Sequence, residues 1–304
     1  MTSILLLFLY LIHAALLPLL LVGFIRKSKA RLQGRTGPPL LQPFYDVAKL
    51  LRKGETTSST TTFVFAWAPA VGLGAIMAAL LMTPWIGLPA PLPGDVILFV
   101  YVMALAKFST GLSALDTGSS FGAFAASREA AISVQTEPAI LLSMAALAVH
   151  SHSSSLTILL RSHHPGMHEA VLVLVVIVAL WIAVIAELSR MPVDDPTTHL
   201  ELTMVHEALL LENSGPNLAL MEYAAAARTA LLFGLMAQIV LLPFPAPPIA
   251  LNYVLSIVLI AGAALVLIVI ESTIVKLRWR RIPNLLSFSV AAGVLACLLV
   301  ALRG

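Results

Sequence analysis

Residues 170–186 read AVLVLVVIVALWIAVIA, seventeen apolar residues without a charge, and residues 187–216 continue ELSRMPVDDPTTHLELTMVHEALLLENSGP. The first part comes close to crossing a bilayer on its own, since a helix rises about 1.5 Å per residue and a span takes about 20 residues. The second part carries six carboxylates (Glu187, Asp194, Asp195, Glu201, Glu207 and Glu212) against one arginine, Arg190. Pro192 and Pro196 cannot continue a helix, so the chain is expected to leave the membrane at Glu187–Arg190. A greasy helix that ends in an acid-rich segment sets the pattern for the rest of the chain.

That pattern repeats. The chain is 59% hydrophobic and 11% charged, with a mean hydropathy of +0.97, well outside the composition of soluble globular proteins. Eight apolar runs are long enough to span: roughly 2–25, 63–85, 95–115, 132–149, 169–188, 219–243, 249–271 and 284–302. The fourth is interrupted by Glu137 and Pro138. These runs leave no room for a soluble domain, so the fold class is all-α: a single polytopic membrane domain over residues 1–304. The first run has no basic residue before it and no small-residue cleavage signal after it, and is expected to be a retained span.

Charge gives the orientation. Connections 1–2, 3–4, 5–6 and 7–8 carry Arg26, Lys27, Lys29, Arg31, Arg35, Lys49, Arg52, Lys53, Arg128, Arg190, Lys276, Arg278, Arg280 and Arg281, whereas the opposite side has only Arg161 and Arg303. By the positive-inside rule both termini lie outside and the charged connections lie in the cytoplasm, expected to be that of a cell whose inner (plasma) membrane holds the chain. The net charge of +3 follows from this asymmetry and gives no case for nucleic-acid binding. Basic residues beside a membrane suit anionic lipid headgroups or an acidic partner equally well. The single cysteine, Cys297, excludes a disulfide within the chain and any Cys-ligated cluster or zinc site. HEALLLE, residues 206–212, has Leu210 where the zinc motif H-E-x-x-H needs its second histidine.

In the first cytoplasmic connection, Leu40, Leu41, Phe44, Val47, Ala48, Leu50 and Leu51 fall largely on one helical face, with Asp46, Lys49, Arg52 and Lys53 on the other. This predicts an amphipathic helix, lying in the membrane interface or packed on the bundle, with Pro43 in its first turn.

Ionisable groups within spans are costly and default to functional candidates. Lys107, Glu137, Arg228 and Glu271 qualify, with Glu271 close enough to the basic loop KLRWRR to reach the interface. In the opening stretch, residues 198–213 are compatible with a new helix ended by Ser214-Gly215-Pro216. On it Glu201 and Glu212 share one face, and His199 and His206 share another. The alternation of acids with Leu200, Leu202, Met204, Val205, Leu209, Leu210 and Leu211 marks this loop as half-buried. Carboxylates desolvated in that way can hold or pass protons near neutral pH. Glu137, Glu187, Asp194, Glu201, Glu207, Glu212, Lys107 and Arg228 are thus the candidates for proton relay or coupling.

Three segments carry a family resemblance: ARLQGRTGPPLLQPFYDVAKLL (30–51), SALDTGSSFGAFAASREAAISVQTEPAILL (113–142) and AELSRMPVDDPTTHLELTMVHEALLLENSGP (186–216). In order and spacing they resemble the cytoplasmic connections of the complex I subunit 1 family. That family includes the quinone-binding membrane subunit of NADH:quinone oxidoreductase and the membrane anchors of energy-converting hydrogenases. Arg35, Gly37 and Pro38 match its R-x-G-P. Arg128 and Glu137 match the basic and acidic residues around span four, and Glu187, Arg190, Pro192 and Asp194 match A-E-x-x-R-x-P-x-D. Glu201 and Glu212 match acids in the following loop. The respiratory, quinone-reducing members resemble D-L-x-E-x-E-x-E-L followed by E-Y-x-G after the A-E motif, which DDPTTHLELTMVHEALLLENSG lacks. The chain is more similar to the branch of hydrogenase-4 component C and formate hydrogenlyase subunit 4.

The resemblance implies an eight-helix, non-catalytic subunit of an oxidoreductase complex that couples electron transfer to movement of protons or sodium. It would bind no cofactor itself. Nickel–iron and iron–sulfur centres are expected in partners: hydrogenase large and small subunits and an iron–sulfur subunit on the cytoplasmic side, with antiporter-like subunits in the bilayer. Arg35, Gly37, Pro38, Asp46, Arg128 and Arg190 are then candidates for docking the redox arm or lining a cavity. Two other readings stand beside this one. The quinone-binding subunit of an NADH:quinone oxidoreductase would receive quinone beneath Arg35 and Glu201, and a stand-alone proton-coupled transporter would use Glu137, Glu187 and Lys107.

Overall fold

A computed structural model describes residues 2–195 and 205–302. Among them, eight helices are long and apolar enough to cross a membrane. They are α1 (Thr2–Leu32), α3 (Phe63–Met82), α4 (Val96–Asp116), α5 (Ser120–His150), α7 (Met167–Glu187), α9 (Gly215–Leu241), α10 (Ile249–Thr273) and α11 (Ile282–Ala301). Shorter helices are α2 (Gln42–Leu51), α6 (Leu156–Leu159) and α8 (His206–Leu210), and a 3₁₀ turn (Trp279–Arg281) precedes α11. The one β-bridge among the described residues joins Asp95 to Ser155.

The bundle is organised around α9, which packs against α1, α2, α3, α7 and α10. Its run of Ala224, Ala225, Ala226 and Ala227 lets neighbouring backbones approach, as small residues do wherever lipid gives helices no hydrophobic reason to associate. Gly234 shows how close they come: a Cβ there would lie 2.6 Å from the Trp85 carbonyl oxygen. A second group, α4, α5, α7 and α11, packs beside it, with α7 touching both.

Two span boundaries differ from expectation in a way that matters. The fourth span starts at Ser120, not near 132, and runs unbroken through Glu137 and Pro138 to His150. Proline costs a helix one N–H bond, and packing on both sides holds α5 together despite it. Arg128 and Glu129 therefore belong to a helix and not to a loop. The first span likewise carries its basic residues Arg26, Lys27, Lys29 and Arg31 on helical turns up to Leu32.

The amphipathic helix is present as α2, with Pro43 at its start, and it lies against α1 and α9 while Leu41, Tyr45 and Leu51 stay exposed. Of the helix expected from Thr198, the described residues show the short α8; Thr198, His199 and Glu201 lie outside them.

A buried network of charges at the end of α7

α7 stops where the prolines predict, through a specific device. Ser189 takes a left-handed conformation (φ 49°), its N–H bonds to Ala186 C=O at 3.0 Å, and the Arg190 N–H reaches back to Ile185 C=O at 2.9 Å. This is a Schellman stop with serine where glycine is usual. It leaves Glu187 on the last helical turn, facing inward, and starts the chain on a path that carries Arg190 and Asp194 to other partners.

Glu187 meets Lys107 of α4. The Lys107 ammonium lies 2.8 Å from Glu187 Oε2, 2.9 Å from Glu129 Oε1 and 3.0 Å from Ser133 Oγ. Those are three acceptors for three N–H donors, so the ammonium is fully satisfied. Arg228 Nη1 of α9 stands 3.9 Å from Glu187 Oε1. The Lys107 and Glu187 side chains are only 4% and 3% exposed. Two cations and two carboxylates make this group neutral when all four are ionised, the condition under which charges tolerate burial.

Glu129, Ser133 and Glu137 follow one another at intervals of four and so form a stripe along one face of α5. Glu137 is half-buried, and it shares with Glu187 the lining of a void of about 10 Å³, the size of one water. At the end of the bundle that carries the charged connections, Glu129, Glu187 and Arg228 reach the wall of a much larger chamber of about 280 Å³. Arg26, Lys29, Arg190, His206, Glu207, Glu222 and Glu271 also line it. A side cavity of about 30 Å³ joins Lys107, Glu129, His206 and Arg228 from the other direction. Glu129 Oε2 and Arg228 Nε are buried without a hydrogen-bond partner in this region.

Two further buried acids are paired around the chamber. Glu271, its side chain fully covered, takes Lys29 Nζ at 2.8 Å and Arg190 Nη1 at 3.4 Å. Asp194 takes Lys276 Nζ at 2.7 Å and also accepts the backbone N–H groups of Val205 at 3.0 Å and His206 at 3.2 Å. Asp194 thereby holds the start of α8 in place. Burial pushes the His206 imidazole below its ordinary pKa; Arg228 and Arg190 add to that shift, and Glu207 and Glu129 oppose it. Its ring is therefore neutral near pH 7.

The candidate residues divide clearly. Lys107, Glu137, Glu187, Arg190, Glu207 and Arg228 meet around the chamber and its branches. Asp46 stands at its rim, 3.3 Å from Arg26, and Asp194 supports it from behind. Arg35 and Gly37 are exposed on the surface and do not line it, Pro38 stands beside them, and Glu212 is also exposed. Arg128 turns away, its guanidinium 3.9 Å from the Phe124 ring centre and 5.1 Å from that of Trp279. Glu201 lies outside the described residues.

Glu129, Glu222 and His206 belong to the site although sequence reasoning did not assign them to it, and Glu271 joins them as an ion-pair centre. The four-residue spacing of Glu129, Ser133 and Glu137 is the signal the sequence carries, masked because the apolar run begins only near residue 132 while the helix begins at Ser120. Among the described residues no group of three or more His, Cys, Asp or Glu is arranged to hold a metal ion. At the opposite end of the bundle His150 Nε2 lies 2.6 Å from Glu169 Oε2, with the His164 ring edge-on to His150.

Known proteins resemble both the sequence and this architecture. Formate hydrogenlyase subunit 4 of Escherichia coli (strain K12) is 29% identical over 275 residues, 88% of each chain. Hydrogenase-4 component C of the same organism is 28% identical over 283 residues, covering 90% of this chain and 89% of that one. The fold superposes on a chain of the membrane-bound sulfane sulfur reductase, an archaeal respiratory membrane complex, with a TM-score of 0.84 and 18% identity over 99% of this chain and 100% of that chain. The NADH dehydrogenase family matches residues 4–302, a range that takes in all eight spans and every buried charge between them. The chain is a multi-pass membrane protein that belongs to the NADH dehydrogenase family, of the complex I subunit 1 type.

Proposed function

We propose that this chain is the membrane anchor of a group 4 energy-converting [NiFe] hydrogenase or formate-hydrogenlyase-like complex. In this reading it docks a cytoplasmic redox arm and couples electron transfer there to proton or sodium movement. The observation that carries it is the continuous run of buried ionisable groups from the chamber through Glu129, Lys107 and Glu187 to Glu137. Likeness to formate hydrogenlyase subunit 4 and hydrogenase-4 component C supports the branch. The redox centres would belong to the large, small and iron–sulfur subunits, and antiporter-like subunits would continue the ion path.

The residues of this chain supply charge balance. Lys107, centred between Glu129 and Glu187, compensates the charge of both carboxylates. A shift at the chamber that weakens either contact leaves a buried carboxylate uncompensated, and taking up a proton is its least costly response. Glu137, one water-sized void away, is placed to exchange that proton with the membrane interior. The quinone reading has less behind it: nine apolar and ten ionisable residues share the chamber lining, which suits either reading, whereas the likeness to the two hydrogenase-type subunits favours the first.

The deciding experiment is purification of the intact complex from membranes, with hydrogen evolution and quinone reduction assayed side by side. Hydrogen evolution that drives ion uptake into vesicles, abolished in coupling but not in assembly by Glu137→Gln, is the expected result. Quinone reduction without hydrogenase activity overturns it, as does transport by the isolated chain.

A further inference from the structure

The α10–α11 connection is pinned from behind and open in front. Lys276 binds Asp194 at 2.7 Å, and the Leu277 N–H bonds to Pro192 C=O at 2.9 Å. Beyond these anchors the chain makes one 3₁₀ turn that exposes Arg278, Trp279, Arg280 and Arg281. Among the described residues the side chains of Arg278, Arg280 and Arg281 make no ion pair. No carboxylate occurs in residues 274–304, so three cations face outward from an acid-free stretch. Arg128 of α5 lies against the turn between the rings of Phe124 and Trp279, and so holds the tryptophan to the bundle.

The level and the surroundings of the patch say what it meets. It sits where two spanning helices end, on the side that the charge asymmetry assigns to the cytoplasm. Beneath it, α5 and α11 pack together and present exposed apolar side chains, Phe124 at 41% and Phe288 at 58%. α11 is the least buried of the eight spans, with 22% of its apolar window covered, so it forms a flank of the bundle. An exposed tryptophan at such a boundary is a membrane-interface anchor, and basic pockets between spanning helices suit phosphate headgroups.

We propose that Arg278, Arg280 and Arg281, gathered around Trp279, form a binding site for an anionic phospholipid whose acyl chains lie along the α5–α11 seam. The guanidiniums supply forked donors to phosphate oxygens. The Phe124–Arg128–Trp279 stack fixes the position of the turn that carries them.

The test is native mass spectrometry of the purified, delipidated full chain, re-exposed to vesicles of phosphatidylcholine containing phosphatidylglycerol or cardiolipin. The wild type retains the anionic lipid in preference to phosphatidylcholine. Arg278→Gln, Arg280→Gln and Arg281→Gln together lower that affinity on the order of 100-fold, about fivefold per arginine. Trp279→Ala, which removes no charge, lowers it too. Lys49→Gln, Arg52→Gln and Lys53→Gln, which take the same charge from the first cytoplasmic connection, leave it unchanged, and so does millimolar inorganic phosphate. Equal loss from both triple variants, or full competition by phosphate, overturns the site. So does unchanged lipid retention in the arginine variant.

Discussion

Replacing Lys107 by methionine tests the charge network at its centre. The substitution keeps the length of the side chain and removes the one group that touches Glu129, Glu187 and Ser133 together. Breaking a buried pair by deleting one partner costs about 3–5 kcal/mol, because the surviving charge is left in a medium that cannot solvate it. Two features of the structure place Lys107→Met at the lower end. Glu187 keeps Arg228 at 3.9 Å, and Glu129 borders cavities that open toward the chamber. About 3 kcal/mol at about 2–4 °C per kcal/mol gives a fall of about 6–12 °C in apparent Tm, read by scanning fluorimetry in detergent. Infrared difference spectroscopy should show a protonated carboxyl band in the variant that Glu129→Gln removes. The double variant Lys107→Met/Glu129→Gln should recover part of the loss, with a coupling of about 2 kcal/mol in the mutant cycle. A Tm within a degree of the wild type, or additive effects in the cycle, would refute the claim that these charges are mutually dependent.

Other consequences are equally accessible. Glu137→Gln and Glu187→Gln should leave the complex assembled on native gels while abolishing ion uptake in vesicles; unchanged coupling in both argues against the relay. His206 titrates below its unfolded value, so the unfolded chain takes up its proton first and stability falls as pH drops below about 6.5. His206→Gln should flatten Tm between pH 6.5 and 5, and an unaltered slope would assign the dependence elsewhere. Asp194→Ala removes the acceptor for the Val205 and His206 amides and the partner of Lys276. Hydrogen exchange at those two amides should quicken, with a stability loss of about 1–3 kcal/mol. Gly234→Ala places a Cβ 2.6 Å from the Trp85 carbonyl oxygen and should cost about 1–3 kcal/mol by the same fluorimetry.

Most of the helical layout was legible because lipid imposes a one-dimensional rule: apolar length makes a span. All eight runs are helices, and the amphipathic pattern at 40–53 marks α2. What the rule misses is where a span ends once its helix continues into the interface with charges aboard. Arg128 and Glu129 read as loop residues by polarity, yet α5 begins at Ser120, and Glu129 and Ser133 turn inward from it to Lys107. The site was legible in part for the same reason. A charge inside an apolar run stands out, so Lys107, Glu137, Arg228 and Glu271 are visible in the sequence as buried charges. What each one meets is not, since Glu271 faces Lys29 and Glu222 shares the chamber with groups far away in sequence, and no local pattern announces such a meeting. Arg128 shows the converse, since its matched position in the family segment says nothing about the aromatic pair that turns it outward.

The segment from Glu187 to Asp194 touches three of the buried ion-pair groups around the chamber. Glu187 joins the Lys107 group, Arg190 the Glu271 pair, and Asp194 both Lys276 and the start of α8. Eight residues thus connect α4, α5, α9, α10 and α8, and the only regular structure within them is the last turn of α7. The left-handed Ser189 fixes the angle at which they depart. Each ion pair is worth little as a net contribution to stability, because desolvation offsets most of its Coulomb energy. Exchanging one partner for another therefore has a small net free-energy change, while leaving any single charge unpaired has a large one. Such a network resists partial displacement and tolerates concerted displacement. Moving this one segment would disturb ion pairs on three sides of the chamber in a single step, which is what the proposed coupling between the chamber and Glu137 requires.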